Sequence, residues 1–423
     1  MRLAVVDLHR PGGHHHAYLR ALAKEAVRRG WRVRVVRTKE ASEHESGQSL
    51  QRLGPLVEVV SSDSASELAA PSRNLAAAQL RAWQVHNRVY RDLVEPYAPD
   101  VVHLLDVDPI GMAVSVMGSP FGEAPWSTLW LRPRFHHPAM GVETPVSFLH
   151  RIGGPLALGR LLSIPSLVAL LAVDETLPEW LRMKKFRGRA KVQYIPDLGS
   201  VGNLVDQREA RFRLHLDTTR FWLLCYGALS SRKGIRQLLE ALDDPATADV
   251  GVLAAGAGDA AASAILSSDR AKALIDGGRL ITLRGHVNDT LEGLIFSAVD
   301  AVWLGYRQHY TSSGVYFQAL SAGRRVIACR EGLIGYWTRL HKTGVVVNPD
   351  NTAEVIAAIQ TLKSNSGPDP ANESARQVIA RSHTESAFGY AVCSAIESRT
   401  AAKDKVSPPP TVKNGQRLST MSS

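Results

Sequence analysis

Three short segments carry residue types at a spacing suited to holding an anion. The first is Gly227-Ala228-Leu229-Ser230-Ser231-Arg232-Lys233-Gly234, between an apolar run at Phe221–Tyr226 and a segment of helical period. Arg232 and Lys233 beside a helix N-terminus would neutralise a diphosphate, and they could equally stand as solvated surface charges. The second is Tyr306-Arg307-Gln308-His309-Tyr310-Thr311-Ser312-Ser313-Gly314, which follows the apolar run Val299–Leu304. Thr311, Ser312 or Ser313 can cap the helix that follows, and its free N–H groups can face an anion; a simple cap and a phosphate site fit equally. The third is Arg10-Pro11-Gly12-Gly13-His14-His15-His16, where Gly12 and Gly13 let the backbone approach an anion closely. Three consecutive histidines suggest a metal, but neighbouring helical residues point in different directions and no second cluster supplies further ligands. No metal is expected, and a hydrogen bond from His14 or His15 to a substrate is the preferred role.

Absent motifs narrow the chemistry. No G-x-G-x-x-G follows the first strand, no G-x-x-x-x-G-K-[ST] occurs, and there is no G-x-S-x-G elbow. Dinucleotide oxidoreductases, P-loop kinases and serine hydrolases of the elbow type are therefore unsupported. Gly256-Ala257-Gly258 alone is a turn signal.

Parallel α/β units are the elements that position these segments. Leu3–Val6, the glycine loop, a helical stripe at Leu19, Leu22, Ala23 and Ala26, and a strand at Trp31–Val36 open such a sheet. Asp100–Leu105 repeats the buried-strand pattern, whereas the polar Ser42–Ser72 stretch reads as loop with one short strand near Leu56–Val60. Further strands are expected at Phe221–Tyr226, Val250–Ala254, Leu280–Leu283, Val299–Leu304, Arg325–Cys329 and Gly344–Val347, and the clearest helix at Lys233–Leu242. The fold class is thus α/β, with two Rossmann-like doubly wound domains facing a central cleft. The boundaries read as 1–200 for the first domain, 201–382 for the second and 400–423, with Pro408-Pro409-Pro410, for a disordered tail.

The 423 residues and 45% hydrophobic composition accommodate two such domains, and 50 Lys+Arg against 40 Asp+Glu leave +10. That charge suits phosphorylated ligands or an anionic membrane; no RNP, zinc-finger or basic-aromatic repeat points to nucleic acid, and none is expected as a partner. Three scattered cysteines give no disulfide framework. The longest apolar stretch, Leu161–Val173, is broken by Ser163, Pro165 and Ser166 and is too short to span a bilayer. A soluble, cytoplasmic protein is expected. The densest basic run, Arg182–Lys191, reads as a solvated face or as a contact to the inner face of an anionic membrane.

Taken in order, these segments resemble the GT-B glycosyltransferases, and among them the retaining family-4 enzymes. The resemblance runs from residue 1 to about 398 and is carried by Gly12-Gly13, Pro99-Asp100-Val101-Val102-His103, Tyr194-Ile195-Pro196-Asp197, Gly227–Gly234 and Gly256-Ala257-Gly258. Asp300–Leu304, Gln318–Ala328 and Thr343–Val347 continue it.

The resemblance implies transfer of a sugar from a nucleotide-sugar, with retention, to a glycan, lipid-linked or other glycoconjugate acceptor, with 1–200 as the acceptor-side domain, 201–382 as the donor-side domain and 383–399 as a C-terminal helix returning to the first domain. It needs no cofactor beyond the donor and no metal. The family's basic pair would be Lys233 and, because its arginine position is Ala228 here, Arg232 four residues on. The family's two glutamates correspond to Tyr310 and Gln318, of which Gln318 can still bond a ribose. Ser312-Ser313-Gly314 stands where the family has glycine-aromatic-glycine, and keeps a backbone suited to phosphate. No residue aligns cleanly with the family's cleft histidine; Arg132, Arg134, His136 and His137 follow the strand Trp126–Leu131, so Arg132 and His136 join His14 and His15 as acceptor-side candidates. A catalytically silent nucleotide-sugar binder and an epimerase of the same architecture are the alternatives.

Overall fold

A computed structural model describes residues 1–9, 13–69, 74–364 and 370–404. The first sheet contains β1 (Arg2–Asp7), β2 (Arg32–Thr38), β3 (Val57–Ser62), β4 (Val101–Leu104), β5 (Trp126–Trp130), β6 (Leu167–Ala172) and β7 (Val192–Tyr194). The second contains β8 (Phe221–Tyr226), β9 (Val250–Gly256), β10 (Leu280–Arg284), β11 (Ala301–Leu304), β12 (Arg325–Cys329) and β13 (Gly344–Val347). Helices of the first half are α1 (Gly13–Arg28), α2 (Lys39–Glu43), α3 (Glu45–Gln51), α4 (Leu75–Val89), α5 (Gly111–Met117), α6 (Phe148–Ser163) and α7 (Thr176–Met183). With the second sheet come α8 (Gln207–Arg213), α9 (Ile235–Ala241), α10 (Ala260–Leu266), α11 (Asp269–Asp276), α12 (Asp289–Ala298), α13 (Gly314–Ser321), α14 (Gly332–Leu340) and α15 (Thr352–Ser364). The chain continues into α16 (Pro370–Ser382) and α17 (Glu385–Asp404).

Every strand pairing is parallel, in the orders β3-β2-β1-β4-β5-β6-β7 and β10-β9-β8-β11-β12-β13. Parallel strands joined by crossover helices are covered on both faces, which is why β1, β6 and β9 read as continuous apolar runs. In β1, Val5 enters one core layer while Ala4 and Val6 enter the other. The order reverses between β1 and β4 and again between β8 and β11, so each sheet has a crevice at its carboxyl edge. Two Rossmann-like α/β domains result.

The Ser42–Ser72 stretch is not the expected loop: α2, α3 and a 3-10 turn at Asp63–Ala69 occupy much of it. Thr38 starts α2 by accepting a hydrogen bond from the Ala41 N–H. These helices bury so little, chiefly Ala41 and Leu50, that no apolar stripe announces them.

The helix α17 lies on α1, with the rings of Tyr18 and Phe388 stacked at 4.7 Å and Val392, Cys393 and Ile396 inside the first sheet's core. It runs five residues past the expected end at 399, and residues 405–423, most of the expected disordered tail, lie outside the described residues. The helices meet closely because position 389 is glycine; a Cβ there would collide with the Ala21 carbonyl oxygen. Gly389→Ala is expected to cost about 1–3 kcal/mol and lower the melting temperature by several degrees. An unchanged melting curve would contradict this close crossing.

Candidate functional site

The carboxyl end of β8 turns sharply at Gly227, whose φ of +96° favours glycine. A 3-10 turn, Ser231–Lys233, then leads into α9. The turn sends its two cations apart. Lys233 is buried, and its Nζ donates to the Tyr226 carbonyl at 2.6 Å and the Tyr306 hydroxyl at 2.8 Å. That ammonium lies 3.4 Å from where a Cβ on Gly227 would sit, a point also touched by Val315 of α13. It therefore forms the floor of the crevice between β8 and β11, under the first turn of α13, rather than projecting into open space. An ammonium has three N–H groups, and these two bonds use two of them.

Arg232 is exposed and bonds the His309 ring at 2.6 Å, while the His309 Nε2 is 3.0 Å from the Ser312 carbonyl. The guanidinium thus bridges the loops after β8 and β11. Ala228, earlier in the same loop, is exposed.

Ser313 and Gly314 are buried at the start of α13, where the first N–H groups lack intrahelical partners. Ser313 occupies the N-cap position without a side-chain cap bond. Ser312 instead bonds Asp197, whose other oxygen accepts from the Tyr18 hydroxyl at 2.6 Å. Asp197, in the segment joining the sheets, thereby ties α1 to the loop before α13. Tyr310 turns towards the first domain, its ring 5.3 Å from the Arg134 guanidinium. Nearby, Gly332 donates to the Glu143 carbonyl at 2.7 Å and Trp337 to Glu175 at 2.8 Å. These contacts set the two carboxyl edges face to face.

Gln318 reveals a residue that sequence reasoning missed. Its amide donates to Glu292 of α12 at 2.7 Å, and the same carboxylate accepts from Tyr226 at 2.6 Å. Burial raises the Glu292 pKa above the usual carboxylate range, against the lowering by its hydrogen bonds. A carboxylate from another helix thus lies beside position 318, and no local spacing could have announced it.

The first domain gathers the remaining candidates less tightly. Gly12 lies outside the described residues, Gly13 begins α1, and the His14 side chain is likewise undescribed. The His15 and His9 rings lie 3.8 Å apart, tilted by 31°, and both face Asp7, with His9 Nδ1 at 2.9 Å and His15 Nδ1 at 3.7 Å. This trio could hold a cation; Arg37, 3.4 Å from the other Asp7 oxygen, already supplies positive charge, and the histidines and arginine together lower the Asp7 pKa despite its burial. Arg132 pairs with Asp106 at 3.3 Å and Asp108 at 3.1 Å. With His9, Thr38, Asp108 and Gln79 it lines a cavity of about 1310 Å³ at the carboxyl edge of the first sheet.

His136 corrects an expectation. It is wholly buried, so it does not face an acceptor; its Nε2 and that of His137 lie 3.1 and 2.9 Å from one oxygen of Asp174. Desolvation lowers the His136 pKa, which makes it a neutral N–H donor. His103 is also buried, bonded to Ser127 at 2.9 Å, and burial lowers its pKa to about 3.

Two facing Rossmann-like domains with a polar crevice at each carboxyl edge define the GT-B fold. Residues 220–365 match the family model "Glycosyl transferases group 1". Solved structures of the same fold include a sucrose-phosphate synthase from Thermosynechococcus elongatus, 16% identical, TM-score 0.70, covering 95% of this chain and 99% of that one. Another is HepE of Anabaena in complex with UDP, 14% identical, TM-score 0.65, covering 94% and 100%. WaaG, a glycosyltransferase involved in lipopolysaccharide biosynthesis, is 14% identical, with TM-score 0.56 and coverage of 93% and 98%. A search of curated proteins by sequence finds no match. No helix among the described residues is long and apolar enough to cross a membrane.

Proposed function

We propose that the protein is a retaining glycosyltransferase that moves a sugar from a nucleotide-sugar to a glycan or lipid-linked acceptor. The observation that carries this reading is the Lys233 ammonium fixed under the first turn of α13, at the crevice between β8 and β11. Fixed positive charge at that point stabilises a departing diphosphate without reorganising as the bond breaks. The N–H groups of Ser313 and Gly314 hold the phosphates, Arg232 covers them from the opposite loop, and Gln318 with Glu292 holds the ribose. HepE, of the same fold, has been solved with UDP and with UDP-glucose, which supports a nucleotide-sugar as donor.

In the reaction the glycosidic C–O bond to the diphosphate breaks as the acceptor oxygen bonds the same face of the anomeric carbon. The acceptor proton passes to the leaving phosphate, so neither a metal nor a protein base is required. The 1310 Å³ cavity beside Arg132 and His9 receives the acceptor. Calorimetric titration with a panel of nucleoside diphosphates, followed by product analysis with and without acceptor, tests this. Product from donor alone would indicate an epimerase, and binding without turnover a silent binder.

The carboxylate of Glu292 gives a pH signature. Its raised pKa means that it takes up a proton at a higher pH than an ordinary glutamate, and a protonated carboxyl is a weaker acceptor for ribose hydroxyls. Nucleotide affinity is therefore expected to fall as pH is lowered from neutral through that raised value. Glu292→Gln should weaken binding about tenfold at neutral pH and flatten the profile. A variant with unchanged affinity and the same pH profile would remove Glu292 from the ribose site.

A further inference from the structure

We propose that the outer face of α5 and α6 is a docking surface for an anionic lipid bilayer. Four large apolar side chains of α6 face outward: Phe148, Leu149, Ile152 and Leu156, between 50% and 81% exposed. They recur at helical spacing on one side, while Leu158, Leu161 and Leu162 fill the core on the other. Alongside, α5 exposes Met112, Val116 and Met117. Scattered apolar residues on a surface are ordinary, but seven on two adjacent helices form a contiguous patch that calls for a partner.

Charge selects the partner. Neither α5 nor α6 contains an acidic residue, and α6 exposes Arg151 and Arg160. Against its C-terminal half packs the turn after α7: Phe186 lies 3.6 Å from where a Cβ on Gly159 would be, and Lys191 bonds the Ile164 carbonyl at 2.8 Å. This turn belongs to the 182–191 segment, which has six cations and no acid. A helix with an apolar outer face bordered by cations suits the boundary between acyl chains and anionic headgroups. A protein partner or a second copy of this chain would have to match the same cations with acids, which the patch does not carry.

The patch also adjoins the cavity of the first domain. The Met112 N–H donates to Gln79, which lines that cavity with Leu75 and Pro109. A bilayer on this face would therefore lie beside the opening through which an acceptor enters. Membrane binding itself stands apart from the donor chemistry, because no nucleotide is needed to observe it.

Flotation of the full chain with phosphatidylcholine vesicles, with and without phosphatidylglycerol, tests the proposal. Binding is expected only with the anionic lipid and should be lost at high salt. Leu149→Glu with Leu156→Glu, at sites 81% and 66% exposed, should lower the bound fraction at least about tenfold without changing the melting temperature or UDP titration. Arg151→Gln with Arg160→Gln should weaken the preference for anionic vesicles. No vesicle binding, or undiminished binding by the double glutamate variant, would overturn it. So would a dimer in sedimentation velocity that dissociates in that variant while vesicles remain unbound.

Discussion

Lys233→Ala is expected to lower turnover by about 10²–10³-fold, the usual consequence of removing one fixed charge or donor from a developing oxyanion. The side chain has two roles that the experiment must separate. It bonds the Tyr226 carbonyl and the Tyr306 hydroxyl, so truncation also opens a small void between the loops after β8 and β11. Lys233→Met keeps most of the volume and removes the charge. It should retain nearly the wild-type melting temperature while losing activity to the same extent. Matching losses in both variants assign the effect to charge, and activity retained in Lys233→Met would refute the role. Arg232→Ala should cost less, because that guanidinium is exposed and shares its position with His309.

Asp174→Asn is expected to give the largest loss of stability, about 2–4 kcal/mol. Its carboxylate is buried and takes four bonds: His136 and His137 on one oxygen, and the Thr176 backbone and hydroxyl, at 2.9 and 2.6 Å, on the other. These bonds hold its pKa far below the ordinary value in spite of burial. The sign follows: the contribution is complete above the unfolded pKa of about 4 and is lost as pH falls through the acid range. In Asp174→Asn the amide NH2 must face either the imidazole N–H groups or the Thr176 backbone N–H, donor against donor in both orientations. Thermal melts at neutral pH should show a drop of several degrees, and the difference from wild type should shrink on acidification. A difference independent of pH would contradict an ionised Asp174.

The residue pattern conveyed the sheets well and the site only in part. Buried parallel strands such as Leu167–Ala172 and Val250–Gly256 are legible because both faces are covered, which leaves an unbroken apolar run. The helices α2 and α3 bury too little to leave a period. Lys233, Ser313 and Gly314 could be located because each follows a strand in the α/β order, so topology alone puts them at a carboxyl edge. Glu292 could not, since its partner Gln318 lies 26 residues on and only the fold brings them together. His136 misled for a related reason: a polar pair after a strand reads as surface, and only the carboxylate from the next strand's end explains its burial. Asp197 left a trace in Tyr194-Ile195-Pro196-Asp197, but its clasp between Tyr18 and Ser312 depends on contacts far apart in the chain. The outward turn of Phe148, Leu149, Ile152 and Leu156 on α6 is likewise set by the packing of the fold and not by local pattern.

A site for two linked phosphates built around Lys233 can be checked by isothermal titration of UDP, GDP and ADP against wild type and Lys233→Met. One-site binding of a nucleoside diphosphate is expected, tighter than of its monophosphate, with affinity reduced at least about tenfold in the variant. Equal affinity for mono- and diphosphate, or a diphosphate bound as tightly without the ammonium, would contradict it.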